Sequence, residues 1–169
     1  MTAATVHDVL DLAGRADWPE PGDPAEPPTL PGFVVSTFAP LVAAVARRCL
    51  SRAPAPPPAT AVVIVTGRGD VGTARHVAGA VDAGTRIGPL MFFQSVPNAV
   101  AGHLAARYGL DGPVVCLSPA DPASALAEGL AEAALLIADG DAGGALVIVA
   151  DQEPDRAYAV LAQPAGARP

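Results

Sequence analysis

The side chains best placed for chemistry lie between residues 116 and 124, where an apolar run ends and a helical pattern begins. The run PVVCL predicts a strand, and Asp121 followed by Pro122 predicts the N-cap and first position of a helix. A carboxylate at an N-cap accepts backbone N–H bonds and complements the helix dipole, which contributes on the order of 1 kcal/mol. Asp121 is therefore predicted to cap a helix; the alternative is a carboxylate that binds or activates a substrate group.

Cysteine, serine and histidine provide few candidates for nucleophilic catalysis. Cys116 lies within the predicted strand, where burial is expected to raise the pKa of its thiol. Ser118 lacks the G-x-S-x-G setting of a nucleophile elbow. His76 and His103 fall on predicted helices and His7 lies near the N-terminus, each without a partner motif. The cysteine spacing does not indicate a metal site, and no cofactor is expected.

A glycine-rich motif offers a competing interpretation. Gly67, Gly69 and Gly72 form a G-x-G-x-x-G between a predicted strand and a predicted helix, as in dinucleotide-binding folds. Such a fold needs an acidic residue about 20 positions further on, to hold the ribose. That window reads GPLMFFQS and has no acid, and Asp70 would lie beside the pyrophosphate. A nucleotide-binding module stays as an alternative function.

Composition narrows the function classes. The 169 residues are enough for one domain with a core, and 51% are hydrophobic but only 4% aromatic. The net charge is −7 and lysine is absent, so there is no basic stripe for nucleic acid or an anionic membrane. Because no apolar run reaches about 18 residues and the start does not resemble a secretory signal, a cytoplasmic location is expected.

The predicted elements alternate between strands and helices. Residues 1–31 are predicted to form a short helix (about 5–13) and a proline-rich connector, and residues 32–169 the main domain. The expected strands are 61–67, 113–117, 145–151 and 157–163, and the expected helices 37–50, 71–81, 96–108 and 122–138, with an irregular segment at 88–95. This order implies an α/β sheet with right-handed crossovers.

Four landmarks in this frame resemble the first half of a β-ketoacyl synthase, and most of all the short synthase-like N-terminal domains allied to chain-length factors. They are VPNAVAG at 96–102, YGLDGP at 108–113, SPADPAS at 118–124 and DGD at 139–141. In that family the third landmark reads roughly Thr-Ala-Cys-(Ala/Thr)-Ser, so the resemblance implies that Asp121 stands at a degenerate nucleophile position. It also implies half of a thiolase-like fold, with a mixed, mostly parallel sheet packed with helices.

The resemblance implies a non-catalytic, chain-length-factor-like subunit in fatty-acid or polyketide biosynthesis. A carboxylate cannot act as the thiolate of a condensing enzyme, and the histidines of that chemistry belong to the second half of the fold. The expected partners are a second copy of the chain or a full ketosynthase, whose acyl pocket it would help to shape, and indirectly an acyl carrier protein. An acyl-thioester hydrolase or acyltransferase using Ser118 or Asp121 is the alternative.

Two apolar segments predict association. The helix at 122–138 has one narrow polar stripe of Ser124, Glu128 and Glu132 and is otherwise apolar, as a helix buried between layers would be. Three large apolar residues also stand together in the segment predicted to be irregular. The predicted partner-interface or acyl-pocket residues are Met91, Phe92, Phe93, Gln94, Ser95, Val96 and Asn98.

Overall fold

The computed structural model describes residues 9–166, which form helices around a five-stranded sheet. The strands are β1 (Leu10–Trp18), β2 (Thr60–Val65), β3 (Val114–Leu117), β4 (Gly144–Asp151) and β5 (Arg156–Pro164). The α-helices are α1 (Phe38–Arg52), α2 (Val71–Asp82), α3 (Pro89–Gln94), α4 (Pro97–Tyr108) and α5 (Ala125–Ala138), and a 3₁₀ turn (Pro122–Ser124) precedes α5. Among the described residues, no helix is long and apolar enough to span a membrane.

The sheet has the strand order β1-β5-β4-β2-β3. Strand β2 pairs in parallel with β3 and β4, and β5 pairs antiparallel with β4 and β1. The predicted α/β class and mixed sheet are therefore confirmed, with two parallel and two antiparallel pairings. The predicted strands over 61–67, 145–151 and 157–163 are confirmed within a few residues.

Strand β2 lies at the centre of the core, and all six of its residues are buried. Val62 and Ile64 point to a cluster that includes residues of α1 and α4, whereas Val63 and Val65 point to a cluster built with α5. Successive side chains of a strand point to opposite faces, so an apolar run without alternation needs cover on both sides. The strand therefore fixes a three-layer arrangement of helices, sheet and helix.

Gly129 sets the distance between α5 and the sheet. A Cβ at this position would lie 2.8 Å from Cγ1 of Val147 on β4 and 2.9 Å from Cγ2 of Val65 on β2. Real Cβ atoms do not approach neighbours so closely, and both neighbours are fully buried valines. Glycine is therefore required for the close packing of α5, despite its low helix propensity.

The N-terminal segment differs from its prediction. Residues 5–8 of the helix predicted at 5–13 lie outside the described residues, and 10–13 belong to strand β1 instead. This strand pairs with β5, and Gly14, at φ +60°, lies near a register shift in that pairing. The helical interpretation was wrong because Leu10 and Leu12 also fit a strand, and the pairing that selects the strand comes from the other end of the chain.

Two arginines of α1 hold the proline-rich segment after β1. Arg48 binds the Asp23 carboxylate at 2.6 and 2.9 Å and lies 5.3 Å from the ring centroid of Trp18. Arg52 binds Glu20 at 2.6 and 2.8 Å. The hydrogen bond from Arg52, with a further bond from a backbone N–H, lowers the pKa of Glu20 to about 2. The segment is therefore anchored without regular secondary structure of its own.

Strand β3 is an edge strand rather than the fully buried strand that the sequence predicts. It has β2 as its single neighbour, and its residues alternate between exposed and half-buried, with Val114 41% exposed. The apolar run PVVCL gave no sign of this, because composition does not distinguish a central strand from an apolar edge. An apolar edge strand is a surface on which another chain can pair.

Substituting Gly129 tests the packing of α5. Gly129→Ala should lower the free energy of unfolding by about 1–3 kcal/mol, because overpacking outweighs the gain in helix propensity. Gly102→Ala is the matched control in α4, where a Cβ meets nothing within 4 Å. It should raise the free energy of unfolding by up to about 1 kcal/mol in urea denaturation followed by circular dichroism. Equal effects of both substitutions would contradict the close packing.

Candidate functional site

A cleft of about 680 Å³ opens at the carboxyl ends of the parallel strands. Ligand sites of open α/β sheets lie at this edge, because the loops that follow the strands converge there. The cleft is bounded by the loops after β2, β3 and β4, the β4–β5 turn and the end of β1. It is lined by Asp17, Trp18, Pro19, Gly67, Arg68, Pro119, Pro122, Val149, Asp151, Gln152, Glu153, Pro154, Arg156, Ala157 and Tyr158.

The lining is mostly apolar with several charged side chains, and in the described part of the chain it lacks a cysteine, serine, threonine or histidine that could act as a nucleophile beside a base. The Arg75 guanidinium, with help from Arg68, lowers the pKa of Glu153, so that carboxylate is held in ion pairs. Burial raises the pKa of Tyr158, which therefore stays protonated. Covalent acyl transfer needs a reactive thiol or hydroxyl next to a base. The one hydroxyl among these lining residues is the phenol of Tyr158, and its raised pKa makes it a poor nucleophile.

Asp121 lies between two lining residues in the sequence, outside the cleft lining itself, and works as a cap. Its carboxylate accepts a hydrogen bond from the Ala123 N–H at 3.1 Å, and its carbonyl accepts one from the Ser124 hydroxyl at 2.7 Å. Its neighbours Pro119 and Pro122 line the cleft, whereas Asp121 itself is exposed outside the lining. The predicted N-cap is confirmed, and the helix begins there as a 3₁₀ turn.

The other candidate nucleophiles lie apart from each other. Cys116 is exposed on the edge strand, and its thiol donates to Oδ1 of Asn98 at 2.7 Å. Partial desolvation raises the pKa of this thiol, as predicted, although the full burial predicted for it was wrong. His76 lies on α2, and His103 on α4 stacks edge-to-face on Phe33 with ring centroids 6.0 Å apart. His7 lies outside the described residues.

The segment predicted to be irregular forms the short helix α3, so that prediction was wrong. Pro89 occupies its first turn, where the fixed φ of proline favours a helix. Phe92 and Phe93 are 69% and 64% exposed, and Val96 is 48% exposed. Of the other residues predicted for an interface, Asn98 is exposed, Met91 and Ser95 are half-buried and Gln94 is buried.

The three glycine N–H groups of the loop at 67–72 are occupied by the protein itself. The Gly67 N–H donates to the Asp151 carboxylate at 3.1 Å, and the Gly72 N–H donates to Oε1 of Gln152 at 3.1 Å. Asp70 caps α2 by accepting from the Thr73 N–H at 2.8 Å. A pyrophosphate needs such N–H groups free and is repelled by carboxylates, so the geometry argues against nucleotide binding.

Sequence reasoning missed most of the cleft. The sequence patterns did not indicate Trp18, Asp151, Arg156 or Tyr158, although the first three lie at strand ends and Tyr158 lies two residues into β5. These residues could have been found from the general rule that ligand sites of α/β sheets lie at the carboxyl ends of the parallel strands. Applying that rule also required the position of β1, which the sequence pattern did not give.

A family model for the β-ketoacyl synthase N-terminal domain matches residues 15–167. The chain belongs to this family. The match covers the last residues of β1, the other four strands, all five α-helices and the cleft. A comparison of the sequence with curated proteins finds no match.

Solved structures share the fold at low sequence identity. The complex of the ketosynthase ApeO with its chain length factor ApeC from Xenorhabdus doucetiae matches with a TM-score of 0.72 and 19% identity, over 94% of this chain and 80% of the matched chain. The ishigamide ketosynthase/chain length factor matches with a TM-score of 0.69 and 17% identity, over 88% of this chain and 49% of the matched chain. These likenesses establish the thiolase-like fold predicted from the sequence.

A third match is a β-ketoacyl synthase from Burkholderia phymatum, with a TM-score of 0.64 and 16% identity, over 86% of this chain and 46% of the matched chain. The chain thus spans about half the length of two of these proteins and four fifths of the ApeO–ApeC chain. It corresponds to a partial ketosynthase fold.

Replacing Asp121 separates a cap from a reactive carboxylate. Asp121→Ala should lower the free energy of unfolding by about 0.5–2 kcal/mol, because the Ala123 N–H loses its acceptor. Asp121→Asn keeps a capping oxygen and should change stability much less. Urea denaturation measures both. Turnover of an acyl-CoA by the unsubstituted chain that Asp121→Asn abolishes would contradict the capping role and revive the hydrolase alternative.

Proposed function

We propose that this chain is a non-catalytic ketosynthase-like subunit that pairs with a full ketosynthase and helps to shape its acyl pocket. The observation that carries the proposal is an apolar arm, residues 71–94, that the chain's own core leaves uncovered. Thr73 is the one buried residue of α2, and Gln94 is the one buried residue of α3. Apolar surface of this kind, outside the core, is typical of a protein interface.

The arm presents large apolar side chains to solvent. Val81, Leu90, Phe92 and Phe93 are each 62–69% exposed. Full burial of one large aliphatic or aromatic side chain contributes about 1.5–3 kcal/mol, so several together can drive association. Aromatic residues are also enriched at interface cores, where they contribute much of the binding energy.

The edge strand extends the same surface. The hydrogen bond between Cys116 and Asn98 joins β3 to the start of α4, which follows α3 directly. Val96 and Val114 are both more than 40% exposed, and each lies two residues before one partner of this contact. An incoming chain could therefore cover α3 and pair with β3 at once, which gives the association a defined register.

The absence of condensing activity is the second part of the proposal. The turn after β3 carries Asp121 as a cap, and the cleft beside it is lined without a thiol, an aliphatic hydroxyl or an imidazole in the described residues. The exposed thiol of Cys116 is turned to Asn98 on the edge strand. A subunit with this site can contribute walls to an acyl pocket but has no group to carry the acyl chain.

A ketosynthase is the proposed partner because the solved structures that share the chain's fold include ketosynthases paired with a chain length factor. Two of the matched structures are, by their descriptions, ketosynthases together with a chain length factor. Another is a ketosynthase of a type II polyketide synthase in complex with its acyl-carrier protein, matched with a TM-score of 0.60 and 17% identity. We therefore place the chain in fatty-acid or polyketide assembly, with carrier protein reached through the partner.

Charge substitution on the arm tests the pairing. Phe92→Asp with Phe93→Asp should weaken binding to a ketosynthase from the same genome by at least about 100-fold, because two large apolar contacts are replaced by desolvated charges. The free chain should stay folded, since both side chains are largely exposed. Copurification and native mass spectrometry measure the complex.

Val34→Asp is the control for this test. Val34 is 84% exposed and lies outside the arm, so its substitution should leave the complex intact. A stable monomer that binds no ketosynthase from its genome would contradict the proposal. So would a homodimer that excludes the ketosynthase, or a complex unaffected by the arm substitutions.

A further inference from the structure

A second groove, on the opposite side of the sheet from α5, is lined by basic side chains although the chain as a whole is acidic. It has a volume of about 440 Å³ and lies between α1, α4 and the end of the proline-rich segment. Arg47 of α1 and Arg107 of α4 are exposed in its lining, with His103 between the helices. The groove is lined by Pro28, Thr29, Leu30, Pro31, Pro40, Ala43, Ala44, Arg47, His103, Leu104, Arg107 and Tyr108, a set without a carboxylate.

The absence of acidic side chains from this lining contrasts with the acidic composition of the chain. The sequence has 17 acidic residues and a net charge of −7, yet none of the acids falls at 27–69 or at 83–110. Those two stretches contain α1 and α4. The groove is therefore a cationic patch on an acidic protein, which concentrates the attraction for an anion at one place on the surface.

Among the described residues, no carboxylate forms an ion pair with either arginine of the groove. Within residues 9–166, neither Arg47 nor Arg107 has a carboxylate oxygen within 4.0 Å. Their neighbours on the same helix behave differently, since Arg48 and Arg52 bind Asp23 and Glu20. Arg47 points away from that network and lines the groove instead.

The floor of the groove is apolar. Leu104 and Ala44 are buried at its base, at 1% and 7% exposure. Pro28, Leu30 and Pro31 of the proline-rich segment add apolar surface that is still accessible. An apolar centre with a charged, exposed rim is the usual arrangement of a protein interface. A small anion would contact only the two exposed arginines. Because solvent screens exposed charges, each such contact contributes little to binding affinity, so a small anion is a poor occupant of this groove.

We propose that this groove binds an amphipathic helix of an acidic partner protein. Apolar side chains of the partner would pack against Pro28, Leu30 and Pro31. Its carboxylates would meet Arg47 and Arg107. Grooves between two helices accept a third helix in this way. Because the rest of the chain is acidic, an acidic partner is repelled elsewhere and steered to this face.

This surface is separate from the one proposed for ketosynthase pairing. No residue of the arm at 71–94 or of β3 lines the groove. An acidic partner could therefore be held while a ketosynthase occupies the arm, and the failure of either proposal leaves the other standing.

Charge reversal tests the groove. The probe is a synthetic helical peptide of Leu, Ala and Glu with Leu on one face and Glu on the other, titrated into the full chain at about 50 mM salt, where surface charges are weakly screened. Arg47→Glu with Arg107→Glu should weaken binding at least tenfold. Arg15→Glu with Arg86→Glu makes the same change in net charge at exposed sites outside the groove, and should weaken it less than threefold.

Several results would overturn the proposal. They are a lack of peptide binding up to millimolar concentration, equal losses in both double variants, or equal binding of a matched peptide with Lys in place of Glu. Inorganic phosphate that competes fully with the peptide would show a small-anion site instead. Salt-sensitive self-association that the groove substitutions abolish would show that a second copy is the occupant. Amide shifts that the peptide causes in α1 and α4, and that the groove variant loses, support it.

Discussion

The burial of strand β2 on both faces and along both edges is the constraint on which the rest of the structure depends. Its six residues carry no polar side chain except Thr60, whose hydroxyl donates to the carbonyl of Pro57. An apolar strand of this kind needs neighbours at each side and a layer above and below. β3 and β4 supply the neighbours, and α1, α4 and α5 supply the layers. The cleft follows, because the loops after these strands must meet at one end.

The helices cover the two faces of the sheet unequally, and the surfaces that stay exposed are the basis of the proposed association. One face of the sheet is covered by α1 and α4, whereas α5 alone covers the other, with Leu135 still 59% exposed. α2 and α3 lie at the periphery with almost no buried residues, and β3 ends the sheet with an apolar edge. A lone chain exposes these surfaces at a free-energy cost that a partner removes.

Local signals in the sequence were enough for much of this structure. The β-branched runs gave β2 and β4, helical spacing gave α2 and α4, and Asp121 with Pro122 gave the cap. The errors have one cause, since each concerns a strand whose role is set by pairing with residues far away in the sequence. β1 looked helical because Val6, Val9 and Leu10 follow a helical spacing, although Leu10 and Leu12 also fit a strand. β3 looked buried because its edge position depends on where the sheet ends. The lining of the cleft was missed for the same reason, since it gathers residues from 17 to 158.

Hydrogen exchange of the chain, alone and mixed with the ketosynthase of its genome, tests the central claim most directly. The account predicts that amides at 89–98, and those β3 amides that point away from β2, exchange fast in the free chain and become protected in the complex. Amides of β2 should be protected in both states, because its strand is buried in the chain's own core. Unchanged exchange at the arm and edge strand, or protection confined to other surfaces, would contradict the account.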